Sequence, residues 1–202
     1  MRRTAGFVGA LFLIATLMAQ AHATNQTYSA EAIATAVHLD FADADVMDTA
    51  EGDLDGDGLP DVAVCIGLGG DDQMIMVLRG TRSHTLVPWE SSERFPWPQH
   101  TPELEIRKGS LFVSSLHISL DTASSSNRQY RFRHGHFQLI GDESWTQSPV
   151  QDDEPGQKSS IRLSNNYLTG VSVSVSEPGK RVERGRSRLP NEPLQTLRDY
   201  VP

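Results

Sequence analysis

The chain has 202 residues, with 26 aspartates and glutamates against 18 lysines and arginines, and its formal net charge is −8. An acidic balance of this kind argues against general binding to nucleic acid or to anionic membranes. The length suits one domain that buries a core without disulfides. Cys65, the single cysteine, cannot form an internal disulfide, and its apolar surroundings predict a buried core position.

The N-terminus has the features of a secretory signal in the expected order. Arg2 and Arg3 supply positive charge, residues 7–18 are apolar, and residues 21–23 form a small-x-small cleavage site. The apolar run is shorter than the roughly 20 residues that a membrane-spanning helix needs. We expect cleavage after Ala23, which leaves residues 24–202 as a single domain with a charge of −10. The product is expected to be periplasmic or secreted, without stable membrane insertion.

The first predicted elements after the signal are a helix and a hairpin. Small and apolar residues at positions 28–37, with Ser29 as a possible N-cap, favour a short helix that packs on a sheet. After an acidic stretch at positions 40–57, apolar residues alternate with period two, which is typical of strands. Residues 62–68 and 74–78 are predicted to pair across a Gly-Gly-Asp-Asp turn at positions 69–72.

The second half of the chain continues in strands. Prolines interleave with aromatic residues at positions 87–102, which excludes a central strand and suggests an ordered loop. Strands are predicted around positions 104–106, 112–120, 161–163 and 171–175, with a polar turn at 122–127, an exposed loop at 147–159 and a short helix near 194–200. A further hairpin pairs Tyr130 and Phe132 with Phe137 and Leu139.

These elements predict a mainly β fold. We expect an antiparallel sheet built from hairpins, arranged as a sandwich or a partly open barrel, with the short helix at its N-terminus.

Residues 53–61 carry the clearest chemistry in the sequence. Carboxylates recur at positions one, three, five and nine of this loop, and a glycine stands at position six, where calcium loops turn sharply. Calcium prefers six to eight oxygen ligands, and a backbone carbonyl at position seven can supply one of them. Four carboxylates this close repel one another unless a cation screens them, which favours a bound cation. The alternative is an Asp/Gly surface turn without metal. The expected calcium ligands are Asp53, Asp55, Asp57, the carbonyl of Leu59, and Asp61.

The loop resembles one known kind of calcium motif and differs from another. An EF-hand would have a bidentate glutamate at position twelve, where this chain has Val64 in a strand pattern. Residues 49–78 resemble instead the calcium loop of FG-GAP and VCBS repeats of integrin-type propellers, in which strand, loop and strand form a hairpin. The resemblance implies calcium binding at the five positions named above. A single copy does not make a propeller. The later stretches at 130–133, 137–141 and 167–170 are similar to uncharacterised exported bacterial proteins that carry one such loop.

Three other groups of residues have both a functional and a structural interpretation. His134 and His136 are a possible transition-metal pair, but without a third ligand at a recognisable spacing they are typical of a solvated turn. Trp89 and Trp97 could bind a sugar or a partner, or they could anchor a loop to the core. Five basic residues could meet an anionic partner or simply keep an edge strand soluble: Lys180, Arg181, Arg184, Arg186 and Arg188.

These features lead to three hypotheses about function. The first is an exported calcium-binding β protein, a non-enzymatic structural or binding module of the bacterial envelope whose partner is an unknown protein or envelope component. The second is a secreted or periplasmic hydrolase with an active site built from loops, although the chain has neither a G-x-S-x-G nor an H-E-x-x-H motif. The third is an adhesion module that uses the tryptophan loop or the basic residues. A concave pocket that joins histidine to acidic side chains would favour the enzyme.

Overall fold

The computed structural model describes residues 27–96, 101–149, 158–178 and 181–202. The predicted signal peptide, Trp97 and Lys180 lie outside these ranges. The described residues form one α-helix, two β-sheets and a final 3-10 turn at Leu197–Asp199. The helix and strands are α1 (Ala30–His38), β1 (Asp45–Gly52), β2 (Asp61–Gly67), β3 (Asp72–Gly80), β4 (Leu86–Ser91), β5 (Phe95–Pro96), β6 (Glu103–Arg107), β7 (Ser110–Ile118), β8 (Ala123–Arg133), β9 (His136–Pro149), β10 (Lys158–Asn166), β11 (Val171–Pro178) and β12 (Glu183–Arg188).

The strands form two antiparallel sheets in which most neighbours in sequence are neighbours in space. The five-stranded sheet has the order β1-β2-β3-β4, and β5 also pairs with β3. The seven-stranded sheet has the order β12-β11-β10-β9-β8-β7-β6. The prediction of a mainly β fold, built from hairpins with a short N-terminal helix, is therefore confirmed. Among the described residues, no helix has the length and apolar character needed to cross a membrane.

The five-stranded sheet is the middle layer of the molecule, and both of its faces are covered. Ser29 caps α1 as predicted, because its hydroxyl accepts a hydrogen bond from the Ala32 N–H at 3.2 Å. The helix packs on one face of the sheet, over the even-numbered residues of β2 such as Val64. Ala63, on the opposite face of β2, shares a core with residues of the seven-stranded sheet: Leu111, Val113, Tyr130, Phe137 and Leu139. Every residue of β2 is consequently buried.

The two sheets approach each other closely where β1 meets β6. A Cβ added to Gly52 would lie 2.5 Å from Cγ2 of Ile106, so only glycine fits at this contact. Nearby, Oδ2 of Asp48 accepts a hydrogen bond from the Leu104 N–H at 2.7 Å, and burial raises the pKa of this carboxyl group. The close approach of Gly52 to Ile106 places the end of β1, where the acidic loop begins, against the second sheet.

Three sequence predictions need correction. Residues 86–91 form β4, where a loop was predicted. The strand accommodates Pro88 because β4 lies at the sheet edge and its pairing with β3 is irregular beside this residue. Residues 123–127 are the start of β8 rather than a turn, since β7 and β9 pair with this polar stretch on both sides. The strand predicted around 112–120 is β7, which begins at Ser110 and ends at Ile118; Leu111 and Val113 enter the core, and the face that carries Phe112 and Ile118 is more exposed.

The two predicted hairpins agree with the structure, whereas the 147–159 loop and the C-terminal helix are shorter than predicted. The 62–78 hairpin is β2 and β3, and the second hairpin pairs Tyr130 with Leu139 and Phe132 with Phe137. The predicted loop at 147–159 is shortened, because β9 extends to Pro149 and β10 starts at Lys158, and its centre lies outside the described residues. The predicted C-terminal helix is only the 3-10 turn.

Candidate metal site

The acidic loop connects β1 to β2, which are neighbouring antiparallel strands of the five-stranded sheet. Gly56 and Gly58 both have φ of 83°, a left-handed conformation that glycine adopts without strain. Leu54 points in the opposite direction from the solvent-exposed tip and is buried in the core between the two sheets. The loop is thus attached to the core at its start while its glycines turn it outward.

Three of the loop carboxylates converge. Asp53, Asp55 and Asp61 each offer an oxygen, and these oxygens lie within 4.8 Å of one another. Asp61 is buried, whereas Asp53 and Asp55 are partly exposed. A group of three carboxylates with one member in the protein interior could hold a metal ion, and an all-oxygen donor set suits a hard cation.

Asp61 is also a structural anchor. Its Oδ2 accepts a hydrogen bond from the Leu54 N–H at 2.9 Å, and its Oδ1 accepts one from the Gly80 N–H at 3.0 Å. Burial raises the pKa of Asp61, the two N–H donors oppose that shift, and Asp55 and Asp57 add to it by charge repulsion. A cation beside this carboxylate would offset both the burial and the repulsion.

The remaining carboxylates organise the loop backbone. Asp53 accepts hydrogen bonds from the N–H groups of Gly56 at 2.6 Å and Gly58 at 3.0 Å. Asp55 accepts one from the Asp57 N–H at 3.1 Å, and Asp57 accepts one from the Leu59 N–H at 2.9 Å. These Asx-type turns curl the chain of the loop.

A positive charge from β3 lies at the loop. The Arg79 guanidinium donates a hydrogen bond to Oδ2 of Asp55 and lies 3.7 Å from Oδ2 of Asp57. The same guanidinium stands 5.2 Å from the centre of the Trp89 ring, which supports it from the other side. Arg79 partly neutralises the loop, and it engages Asp55, which is one of the three converging carboxylates.

The structure therefore brings together three of the five residues expected to bind calcium. Asp57 is not part of the converging group and faces Arg79 instead. Leu59 contributes its N–H to the Asp57 turn. The sequence analysis did not identify Arg79 or Gly80, which lie about 20 residues further along the chain. The only available signal was the predicted hairpin, whose register pairs Val62 with Leu78 and so brings the end of β3 beside Asp61.

The other candidate residues are in separate places. His134 and His136 are exposed at the hairpin turn, and Nδ1 of His136 lies 3.8 Å from Oε1 of Glu90. Trp89 packs against Phe132 and Phe137, with ring centres 4.5 and 4.8 Å apart, so it anchors β4 to the core. Cys65 is buried as expected, and burial raises the pKa of its thiol to about 12.

One histidine lies in a cavity. His117 lines an open cavity of about 400 Å³ on the seven-stranded sheet, together with the hydroxyl groups of Ser124 and Thr146. No aspartate or glutamate of the described residues lines this cavity. It does not have the pairing of histidine and carboxylate that the hydrolase hypothesis requires.

No protein-family model, no curated protein and no solved structure matches the chain.

Proposed function

We propose that the chain is an exported calcium-binding β protein in which calcium orders the loop between β1 and β2. The observation that carries this proposal is the convergence of Asp53, Asp55 and Asp61 within 4.8 Å, with Asp61 buried. Calcium is the preferred cation because every donor is an oxygen, and because calcium tolerates the irregular geometry that a glycine-rich loop offers. Magnesium needs a smaller octahedral shell and gives up its water reluctantly.

The arrangement of the loop agrees with the FG-GAP and VCBS resemblance. That motif has a strand, a loop and a strand in a hairpin, and here the loop joins the antiparallel pair of β1 and β2. We propose that Asp57 and the carbonyl of Leu59 complete the shell, together with water. For Asp57 to join the ligands, its carboxylate would leave the neighbourhood of Arg79.

We further propose that the protein is a non-enzymatic structural or binding module of the bacterial envelope. The secretory pattern at the N-terminus and the acidic composition support an exported, soluble chain. In this proposal calcium is structural, because it stiffens a loop that contacts the core through Leu54 and Asp61. Extracellular calcium is abundant enough to occupy a site whose dissociation constant is about 0.1 to 1 mM.

A calorimetric titration with calcium tests the proposal. The wild-type protein should bind one calcium ion with a dissociation constant in the range of about 0.1 to 1 mM. The variant Asp53→Asn with Asp55→Asn should lose this binding. Asp71→Asn with Asp72→Asn is the matched control, because both residues are exposed acids at the turn between β2 and β3.

The control should bind calcium like the wild type. A wild-type protein that takes up no calcium at millimolar concentrations contradicts the proposal. So does equal loss of binding in the two variants, because it would mean that calcium responds only to total negative charge.

A further inference from the structure

The last strand of the seven-stranded sheet carries a row of positive charge. β12 stands at the end of the strand order and pairs with β11 on one side. All six of its residues are exposed. Side chains alternate between the two faces of a strand, so Arg184, Arg186 and Arg188 lie on one face. Glu183, Gly185 and Ser187 lie on the other. We call the three arginines the arginine row.

The pairing of β12 with β11 gives the arginine row an apolar neighbour. Arg184, Arg186 and Arg188 stand opposite Val175, Val173 and Val171. The aliphatic part of an arginine side chain can cover such a row while its guanidinium stays in water. On the next strand, the exposed Arg162 pairs with Val175 and so extends the positive charge across the same face.

The arginine row has no acidic partner in the part of the chain that the structure describes. The ion pair at this end of the sheet joins Arg181 to Glu183 at 3.2 Å, and Glu183 faces away from the row. The chain as a whole carries a net charge of −8, so this row is a local concentration of positive charge on an acidic protein.

Among the described strands, none pairs with the outer side of β12, so this edge also offers backbone groups. In an antiparallel pair, alternate residues exchange hydrogen bonds with the neighbouring strand, and the residues between them direct their N–H and C=O groups to the open side. Two copies of β12 would pair poorly, because their arginines would stand opposite one another and like charges across strands are destabilising. The edge is therefore protected against self-association and open to a strand of opposite charge.

We propose that β12 accepts an extended acidic peptide segment of another protein as an additional strand of the seven-stranded sheet. A carboxylate at every second residue of that segment would face the arginine row, because both strands repeat with period two. Each arginine can bind a carboxylate through two parallel hydrogen bonds. An extended peptide is favoured over a polysaccharide, a nucleic acid or a membrane because only a peptide strand also pairs with the backbone groups of the edge. This proposal is independent of calcium.

The first arm of the test uses synthetic peptides with the mature protein, measured by fluorescence anisotropy. One eight-residue peptide has glutamate at every second position with threonine or valine between. A second has the same composition with its glutamates in a block. The alternating peptide should bind at least tenfold more tightly than the block peptide. N-methylation of alternate backbone amides should abolish binding in one phase and leave it intact in the other, since a strand pairs through one edge at a time.

The second arm uses charge-reversal variants of the protein. Arg184→Glu with Arg186→Glu should weaken binding of the alternating peptide at least tenfold. Arg82→Glu with Arg94→Glu is the matched control, because both arginines are exposed and lie beside strands of the other sheet. The control should bind like the wild type. If the first variant does not fold, Arg184→Gln with Arg186→Gln gives the same comparison.

Three results would overturn the proposal. The first is equal affinity for the alternating and block peptides, and the second is binding that N-methylation leaves unchanged in both phases. The third is tighter binding of a heparin fragment, or of vesicles with anionic lipid, than of the alternating peptide. Each would mean that the arginine row attracts negative charge without pairing a strand.

Discussion

β2 and β12 are both strands of the same domain, but their environments are opposite. All seven residues of β2 are buried between α1 and the second sheet, and all six residues of β12 are exposed at a sheet edge. β2 has no polar side chain after its first residue, Asp61, whereas β12 has five polar or charged residues and one glycine. The comparison indicates that the five-stranded sheet and its contact with β7 to β9 provide the stability. The described residues of β12, at the far end of the seven-stranded sheet, are exposed and contribute no side chain to either core cluster.

Replacing matched isoleucines in the two regions should give the largest difference. Ile75 on β3 is fully buried, whereas Ile161 on β10 is 54% exposed. Ile75→Ala should lower the free energy of unfolding by about 2 to 5 kcal/mol, because it removes buried methyl groups and leaves a cavity. Ile161→Ala should cost under about 1 kcal/mol. Urea denaturation measures both, and similar losses in the two variants would mean that the far end of the second sheet is also part of the stable core.

The second prediction separates two roles of the acidic loop, which are calcium binding and anchoring of the backbone by Asp61. Asp61→Ala would leave the buried N–H groups of Leu54 and Gly80 without an acceptor. Each such group costs about 1 to 3 kcal/mol, so the variant should lose about 2 to 6 kcal/mol even in the presence of a chelator. Asp55→Ala should lose calcium binding but less calcium-free stability than Asp61→Ala, because the Asp55 side chain is 9% exposed but its partner Arg79 is 46% exposed, so water screens their ion pair.

The comparison is made by thermal unfolding with EDTA. If Asp55→Ala is destabilised as strongly as Asp61→Ala, the anchoring role assigned to Asp61 is wrong.

The third prediction concerns the positive charge beside the loop. Arg79→Met keeps an apolar side chain against Trp89 but removes the guanidinium that engages Asp55. Calcium would then no longer compete with a resident cation, and its affinity should rise at least about twofold. That factor corresponds to the lower part of the 0.2 to 1 kcal/mol that an exposed ion pair contributes.

Calorimetric titration measures the change, with Arg82→Met as the control for loss of one positive charge. An unchanged or weaker affinity in Arg79→Met, relative to this control, contradicts the competition.

The smallest effect is expected at β12. Arg184→Ala with Arg186→Ala should change the free energy of unfolding by less than about 1 kcal/mol, because exposed charges contribute little. Differential scanning calorimetry measures it. A large fall in melting temperature would show that the arginines are paired and that β12 belongs with the stable region.

The hairpins could be predicted because their local signals agree with their tertiary environment. A Gly-Gly turn separates the apolar residues of β2 from those of β3. The turn between β8 and β9 is His134-Gly135, and both residues have positive φ. The start of β8 could not be predicted, because a serine-rich segment has little strand character of its own. It is a strand because β7 and β9 satisfy its backbone from both sides.

The acidic loop was also only partly predictable. The spacing of the aspartates identified the loop, since Asx turns depend on neighbouring residues. The sequence could not distinguish Asp61, which is buried and anchored to Gly80, from Asp57, which faces Arg79. Those roles depend on the register of β3 against β2, and register is set by the whole sheet.

The melting temperature of the protein in calcium, magnesium and EDTA tests the central claim most directly. With a dissociation constant of about 0.1 to 1 mM, 1 mM calcium should stabilise the fold by roughly 0.4 to 1.4 kcal/mol. For a domain of this size, that stabilisation corresponds to a rise of about 1 to 6 °C over EDTA. Magnesium should give a smaller rise, and Asp55→Ala should abolish the response to calcium. A melting temperature that is the same in calcium and EDTA, or the same calcium response in Asp55→Ala as in the wild type, would contradict the account.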